Sequence, residues 1–193
     1  MLQIVLIRPG CTDFDEQGRI KGCLDIPLND HGAAQVEKLA AELANLNIDT
    51  LYTSPCQSAQ QTADSLGQHL GLKVKSLAKL KNVDHGLWHG KLIEEVKQKQ
   101  PRVYRQLQEH PESVCPPDGE ALTDAQDRVR KELGKLLKRH RDGVIALVLP
   151  EPLTTLVRCL LEHSDLGDLW KVECECGSWS VVNVQPATVS AAS

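Results

Sequence analysis

Two short aliphatic runs, each stopped by proline, constrain this chain more than any other feature. Leu2–Ile7 ends in Arg8-Pro9-Gly10, and Gly143–Leu149 ends in Pro150-Glu151-Pro152. Runs of that length, rich in Ile, Val and Leu, read as buried strands rather than helices. Proline and glycine then force the chain to turn. In open α/β sheets, ligands bind beyond the carboxyl ends of strands. Arg8 stands at such an end and is the first candidate for holding an anion. Its neighbour is the anomaly, because Pro9 offers neither a side-chain proton nor a backbone N–H.

The rest of the chain alternates. A polar loop, Arg8–Asn29, carries Thr12, Asp13, Asp15, Arg19, Lys21 and Asp25, and long polar loops after strands are where sites are built. A helix is expected over His31–Leu46, with Val36, Leu39, Leu43 and Leu46 as one stripe and Asn29 or Asp30 as its cap. Ile48–Thr53 reads as a strand. A helix then runs to Leu70, stopped by Gly71, and Leu72–Leu77 reads as an edge strand. Leu80–Gly90 is a loop rich in His, Trp and Gly. Lys91–His110 is helical and broken near Pro101, and Pro111–Gly119 is a proline-rich linker. Leu122–His140 is a clear amphipathic helix, Leu153–His163 a buried one, and Trp179–Val184 a last strand. This order predicts a three-layer α/β/α domain with a mostly parallel sheet. It spans residues 1–185, with 91–120 as a helical insertion over the pocket and 186–193 as a flexible tail.

Composition excludes several classes. The formal net charge of −4 does not suit a nucleic-acid or anionic-membrane surface. No apolar run approaches the roughly 18 residues of a membrane span, and no signal-type segment opens the chain, so a cytoplasmic protein is expected. The seven cysteines match no disulfide framework. Cys174-Glu-Cys176 has no second pair at zinc spacing, so no metal and no cofactor is expected.

Several motifs, in order, resemble the histidine phosphatase superfamily, in its phosphoglycerate mutase-like branch. They are Leu6-Ile7-Arg8-x-Gly10-x-Thr12; Gly18-Arg19-Ile20-x-Gly22-x-Leu24-Asp25-x-Pro27-Leu28-x-x-x-Gly32; Tyr52-Thr53-Ser54-Pro55 with Ala59-Gln60-Gln61-Thr62-Ala63; Gly86-Leu87-Trp88-His89-Gly90; Pro117-Asp118-Gly119-Glu120-Ala121-Leu122; and Gly177-Ser178-Trp179-Ser180-Val181. The resemblance implies phosphoryl transfer through a nucleophilic histidine. A second histidine and two arginines surround the phosphate, and a carboxylic acid protonates the leaving oxygen.

Carried onto this sequence, the resemblance places Pro9 at the nucleophile and Pro150 at the second histidine. Ser58 stands at the second arginine, and Asn82, or else His89, at the acid. Cys11 replaces a glutamate, and Asp15 a loop asparagine. Arg8 and Glu120 remain. The expectation is a catalytically inactive pseudophosphatase with residual anion binding at Arg8. Its candidate pocket holds Cys11, Thr12, Asp15, Ser58, Asn82, His85, His89, Glu120 and Glu151, and its partner is a small phosphorylated ligand or a protein. One alternative is a phosphomonoesterase with chemistry re-sited to Cys11 or to His85 and His89. Another is a purely structural or dimer-forming protein with a closed pocket.

Overall fold

A computed structural model describes residues 1–166 and 176–184. The expected tail at 186–193 and Cys174 lie outside the described residues.

Five strands form one sheet: β1 (Leu2–Ile7), β2 (Thr50–Thr53), β3 (Val74–Ser76), β4 (Gly143–Val148) and β5 (Trp179–Val184), in the order β3-β2-β4-β1-β5. β1, β2, β3 and β4 run parallel, and β5 pairs antiparallel with β1. The mostly parallel sheet is therefore as expected, and β3 is the edge strand that its alternating lysines suggested. Both faces of β1 are covered. Ile4 and Leu6 point into one core with Ile145, Leu147 and Tyr52, while Val5 and Ile7 point into the other with Leu51, Ala146 and Val148. Burial on both faces is why β1 and β4 read as continuous aliphatic runs rather than alternating ones.

Helices α2 (Asp30–Leu43) and α3 (Gln57–Leu70) cover the second face. Asn29 caps α2, its side-chain oxygen accepting from Gly32 N at 2.8 Å. Gly71 closes α3 in the left-handed region, φ 67°. Helices α6 (Leu122–Arg139) and α7 (Leu153–Glu162) lie on the first face. The chain between 91 and 120 forms α4 (Ile93–Lys99) and α5 (Pro101–Glu109), joined at Pro101, and anchors Val96 and Val114 in the core beside Trp88 and Leu122.

Several boundaries move. The α2 helix stops at Leu43, not Leu46, because the chain turns through Asn47 at φ 48°. Strands β2 and β3 are shorter than expected. The loop after β1 contains a one-turn helix, α1 (Asp13–Glu16), held by a capping box between Thr12 and Asp15.

One close approach fixes the loop after β1 onto α2. A Cβ built on Gly32 would lie 2.1 Å from Cys11 O, and one on Gly10 would lie 2.3 Å from Gly32 O. Backbone stands against backbone there, so no side chain can swing aside. Gly32→Ala is therefore expected to destabilise the fold by about 3 kcal/mol, the upper end of ordinary overpacking, read as a fall in the urea midpoint. A change below about 0.5 kcal/mol would show that this contact yields.

Candidate functional site

Parallel strands bring their carboxyl ends to one edge of the sheet. Arg8 and Pro9 follow β1 there, Pro150 and Glu151 follow β4, and Ser54 follows β2. Antiparallel β5 starts at the same edge, so Cys176 and Ser178 arrive beside them. Arg8 N donates to Ser178 O at 2.8 Å, and Gly177 N to Pro9 O at 2.8 Å. Arg8, Pro9, Asp15, Lys21, Pro150, Glu151 and Cys176 line a cavity of about 20 Å³. That is room for about one water molecule.

Both described cations of this cavity have a carboxylate partner. Arg8 Nε is paired with a Glu151 carboxylate oxygen, with side chains only 9% and 7% exposed. Arg8 Nη1 also donates to Ser178 Oγ at 3.1 Å. Glu151 accepts in addition from Thr155 N at 3.2 Å, in the first turn of α7. Lys21 is ion-paired with Asp15, whose carboxylate also accepts from the backbone N–H and the hydroxyl of Thr12, both at 2.7 Å. Among the described residues, two cations of the cavity face two carboxylates.

The other candidate residues stand elsewhere among the described residues. Cys11 is buried and does not line the cavity; its backbone N–H donates to Gln35 Oε1 at 2.9 Å. Thr12 caps α1 instead of lining the cavity. Ser58 is buried at the start of α3, its hydroxyl 4.0 Å from Cys56 Sγ, too short a side chain to supply what an arginine would. Asn82 is a structural tie. Its amide donates to Gly22 O at 3.0 Å and Glu151 O at 2.9 Å, holding the loop after β1 to the turn after β4.

His85 and His89 are not at the rim of this cavity. Gly86 packs against the backbone of Pro117–Gly119, which folds His85 inward. It lines a second small cavity with Val83, Glu120, Leu122 and Pro152. Burial, with the neighbouring His89, pushes His85 down to about 4, against the opposing charges of Asp84 and Glu120. The ring is neutral at pH 7. His89 Nε2 lies 3.2 Å from the backbone N–H groups of Cys23 and His85 and 3.7 Å from an Asp84 carboxylate oxygen.

Glu120 does not cap α6. Burial pushes its carboxyl up, but the Arg128 guanidinium overrides this and holds it below the usual carboxylate range. Arg128 grips both Glu120 oxygens at 2.8 Å and the backbone carbonyls of Lys79, Lys81 and Asn82. This staple is structural.

A pH dependence follows from His85. Between pH 6.5 and about 4 the unfolded chain binds a proton that the folded chain refuses, so stability is full above this window and falls as pH drops through it. The loss attributable to His85 approaches about 3 kcal/mol at the acid end. Urea unfolding at pH 7 and pH 4.5 checks it: His85→Gln should unfold with a shallower pH dependence than wild type. Equal slopes would contradict the neutral ring.

Lys21 and Cys176 are the cavity residues that sequence reasoning missed. Lys21 lies in a polar loop without periodicity, and Cys176 reaches the site only through the antiparallel pairing of β5. Neither carries a local signal.

The sequence model described as "Histidine phosphatase superfamily (branch 1)" matches residues 4–192. The chain is 31% identical over 185 residues to "Phosphoserine phosphatase 1" of Hydrogenobacter thermophilus, covering 96% of this chain and 88% of that protein. It is also 31% identical over 183 residues to "Bifunctional protein Rv2228c" of Mycobacterium tuberculosis, covering 93% of this chain but only 49% of that protein. Among solved structures, Bacillus stearothermophilus YhfR superposes with a TM-score of 0.83 at 22% identity, covering 96% of this chain and 92% of that one.

Proposed function

The chain belongs to the histidine phosphatase superfamily, and we propose that it is a catalytically silent member, a pseudophosphatase that acts by binding rather than turnover. One observation carries this reading. The two strand ends where the family resemblance puts its histidines hold Pro9 and Pro150, and the arginine left between them is ion-paired with Glu151. No nucleophile stands at the family's position. Neither proline can accept a phosphoryl group or donate a proton.

Of the two binding roles, the protein partner is favoured over the small phosphorylated ligand. The two described cations of this cavity, Arg8 and Lys21, are already paired with Glu151 and Asp15, which speaks against an anionic ester there.

Re-sited chemistry finds less support. The thiol facing the cavity is Cys176, which burial and the adjacent Asp15 carboxylate push well above the usual thiol range, so little of the nucleophilic thiolate is present. His85 and His89 face away.

Steady-state hydrolysis of p-nitrophenyl phosphate and of phosphoserine, the substrate suggested by the name of the Hydrogenobacter relative, tests the proposal. The expected rate is that of buffer alone. A saturable rate abolished by Cys11→Ala or His89→Ala would overturn it in favour of re-sited chemistry.

A further inference from the structure

We propose that the groove along the outer side of α6 is a docking site for a basic amphipathic helix of a partner protein. Such docking rests on the binding role inferred above and gives it a place and a partner. Its test does not involve turnover, so a phosphatase rate and an unfilled groove are separate outcomes.

Two cavities, of about 400 and 610 Å³, open along α6 and share Gln126, Ser164 and Leu166. They are halves of one groove, and neither shares a lining residue with the cavity at Arg8. Helix α6 lines the groove from Thr123 to Leu137. That is about 21 Å at 1.5 Å per residue, or about four turns of a partner helix.

The walls are in place before anything binds. Helix α7 closes at His163 in the left-handed region, φ 54°. The chain beyond it is tied back, with Ser164 N donating to Cys159 O at 3.1 Å and Cys159 Sγ to Asp165 O at 3.3 Å. At the other end, Gln106 Nε2 donates to Ser113 Oγ at 2.9 Å, and that hydroxyl donates to His110 O at 2.7 Å. These bonds hold the turn that carries Glu112.

The two halves differ in chemistry. One is floored by Leu133, Leu137, Leu160, Leu161 and Leu166, and Leu137, Leu160 and Leu166 pack on the core while only half-buried. An apolar strip with a polar rim marks an interaction site, and a helix laid in a groove buries an apolar face there. The other half carries the carboxylates of Glu109, Glu112 and Asp165 beside His110. The lining arginine, Arg130, is paired with Asp127. Charge complementarity therefore selects a cationic occupant over an acidic one.

Gly134 points the same way independently. It lies inside α6, where glycine weakens a helix relative to alanine. It follows Arg130 by four residues and precedes Leu137 by three, so it neighbours both on the helix surface. A Cβ there would meet nothing within 4 Å, so packing within the chain does not call for a glycine. Close approach of a second backbone does.

Isothermal titration with two synthetic peptides of about four helical turns tests the proposal. One is built from Leu and Lys, the other from Leu and Glu, each with its leucines on one face. The Leu/Lys peptide is expected to bind one to one, and the Leu/Glu peptide at least about tenfold more weakly. Gly134→Lys enters open space, so it should melt no lower than wild type yet bind the Leu/Lys peptide about tenfold more weakly or worse. Glu109→Lys with Glu112→Lys should do the same through charge. No binding at millimolar peptide, equal affinity for the two peptides, or unchanged affinity in either variant would overturn the proposal. So would a dimer in sedimentation that Gly134→Lys dissociates, because the groove would then belong to a second copy of this chain.

Discussion

Glu151→Ala is expected to cost the fold about 3–5 kcal/mol, the usual penalty for stranding one member of a buried ion pair. Arg8 and Glu151 are both buried, and the guanidinium cannot shed its charge by deprotonating. Without Glu151 it loses the carboxylate that its Nε is paired with, while its bond to Ser178 Oγ stays. Arg8→Ala should also destabilise, leaving the Glu151 carboxylate with Thr155 N as its remaining donor. The pair itself contributes little net stability, because desolvating two charges offsets their attraction. Arg8→Met with Glu151→Leu should therefore recover most of the loss, and urea unfolding of the four proteins gives the coupling directly. Single-variant losses below about 1 kcal/mol would mean that Arg8 reaches solvent and is available to an anion. In this account Arg8 persists because the fold needs it, not because phosphate does.

The second large effect is on turnover. Relative to a member of the superfamily carrying both histidines, phosphate-ester hydrolysis is expected to be lower by about a millionfold. Loss of a covalent nucleophile from residues that act as a unit costs that much, and loss of the general acid alone costs about 10²–10⁴. These losses do not multiply, because once the nucleophile is gone the acid has no step to assist. What remains of the electrostatic stabilisation that such sites rely on is Arg8 and Lys21, each paired with a carboxylate. Pro9→His alone is accordingly expected to restore nothing measurable by p-nitrophenyl phosphate hydrolysis. It supplies an imidazole without the second histidine, the second arginine or the acid.

The parts of the fold legible in the sequence were those where burial leaves its mark on composition. Strand β1 was readable to the residue because both its faces are covered. Helix α6 was readable because Leu122, Ala125, Val129, Leu133 and Leu136 are all buried on one side. The direction of β5 was not readable, since no local pattern separates a parallel strand from an antiparallel one at a sheet edge. Helix α1 was missed because four residues carry no periodicity, although Thr12 and Asp15 hold the spacing of a capping box. The site divided in the same way. Motif order located Arg8, Pro9, Asp15, Pro150 and Glu151 at one edge of the sheet. Lys21 enters only through its pairing with Asp15, and Cys176 only through β5. The sequence reading puts His85 and His89 in the candidate pocket because Gly86–Gly90 resembles a family loop. The approach of Gly86 to Pro117–Gly119 instead turns His85 into the interior.

Whether the fold persists without the reaction is read from a single-turnover experiment. Stoichiometric protein is mixed with p-nitrophenyl phosphate, nitrophenolate release is followed, and the protein is weighed for a phosphoryl adduct. The expected result is no release above buffer and no added mass over hours. A burst approaching one equivalent, with the mass of one phosphoryl group on any residue, would contradict it.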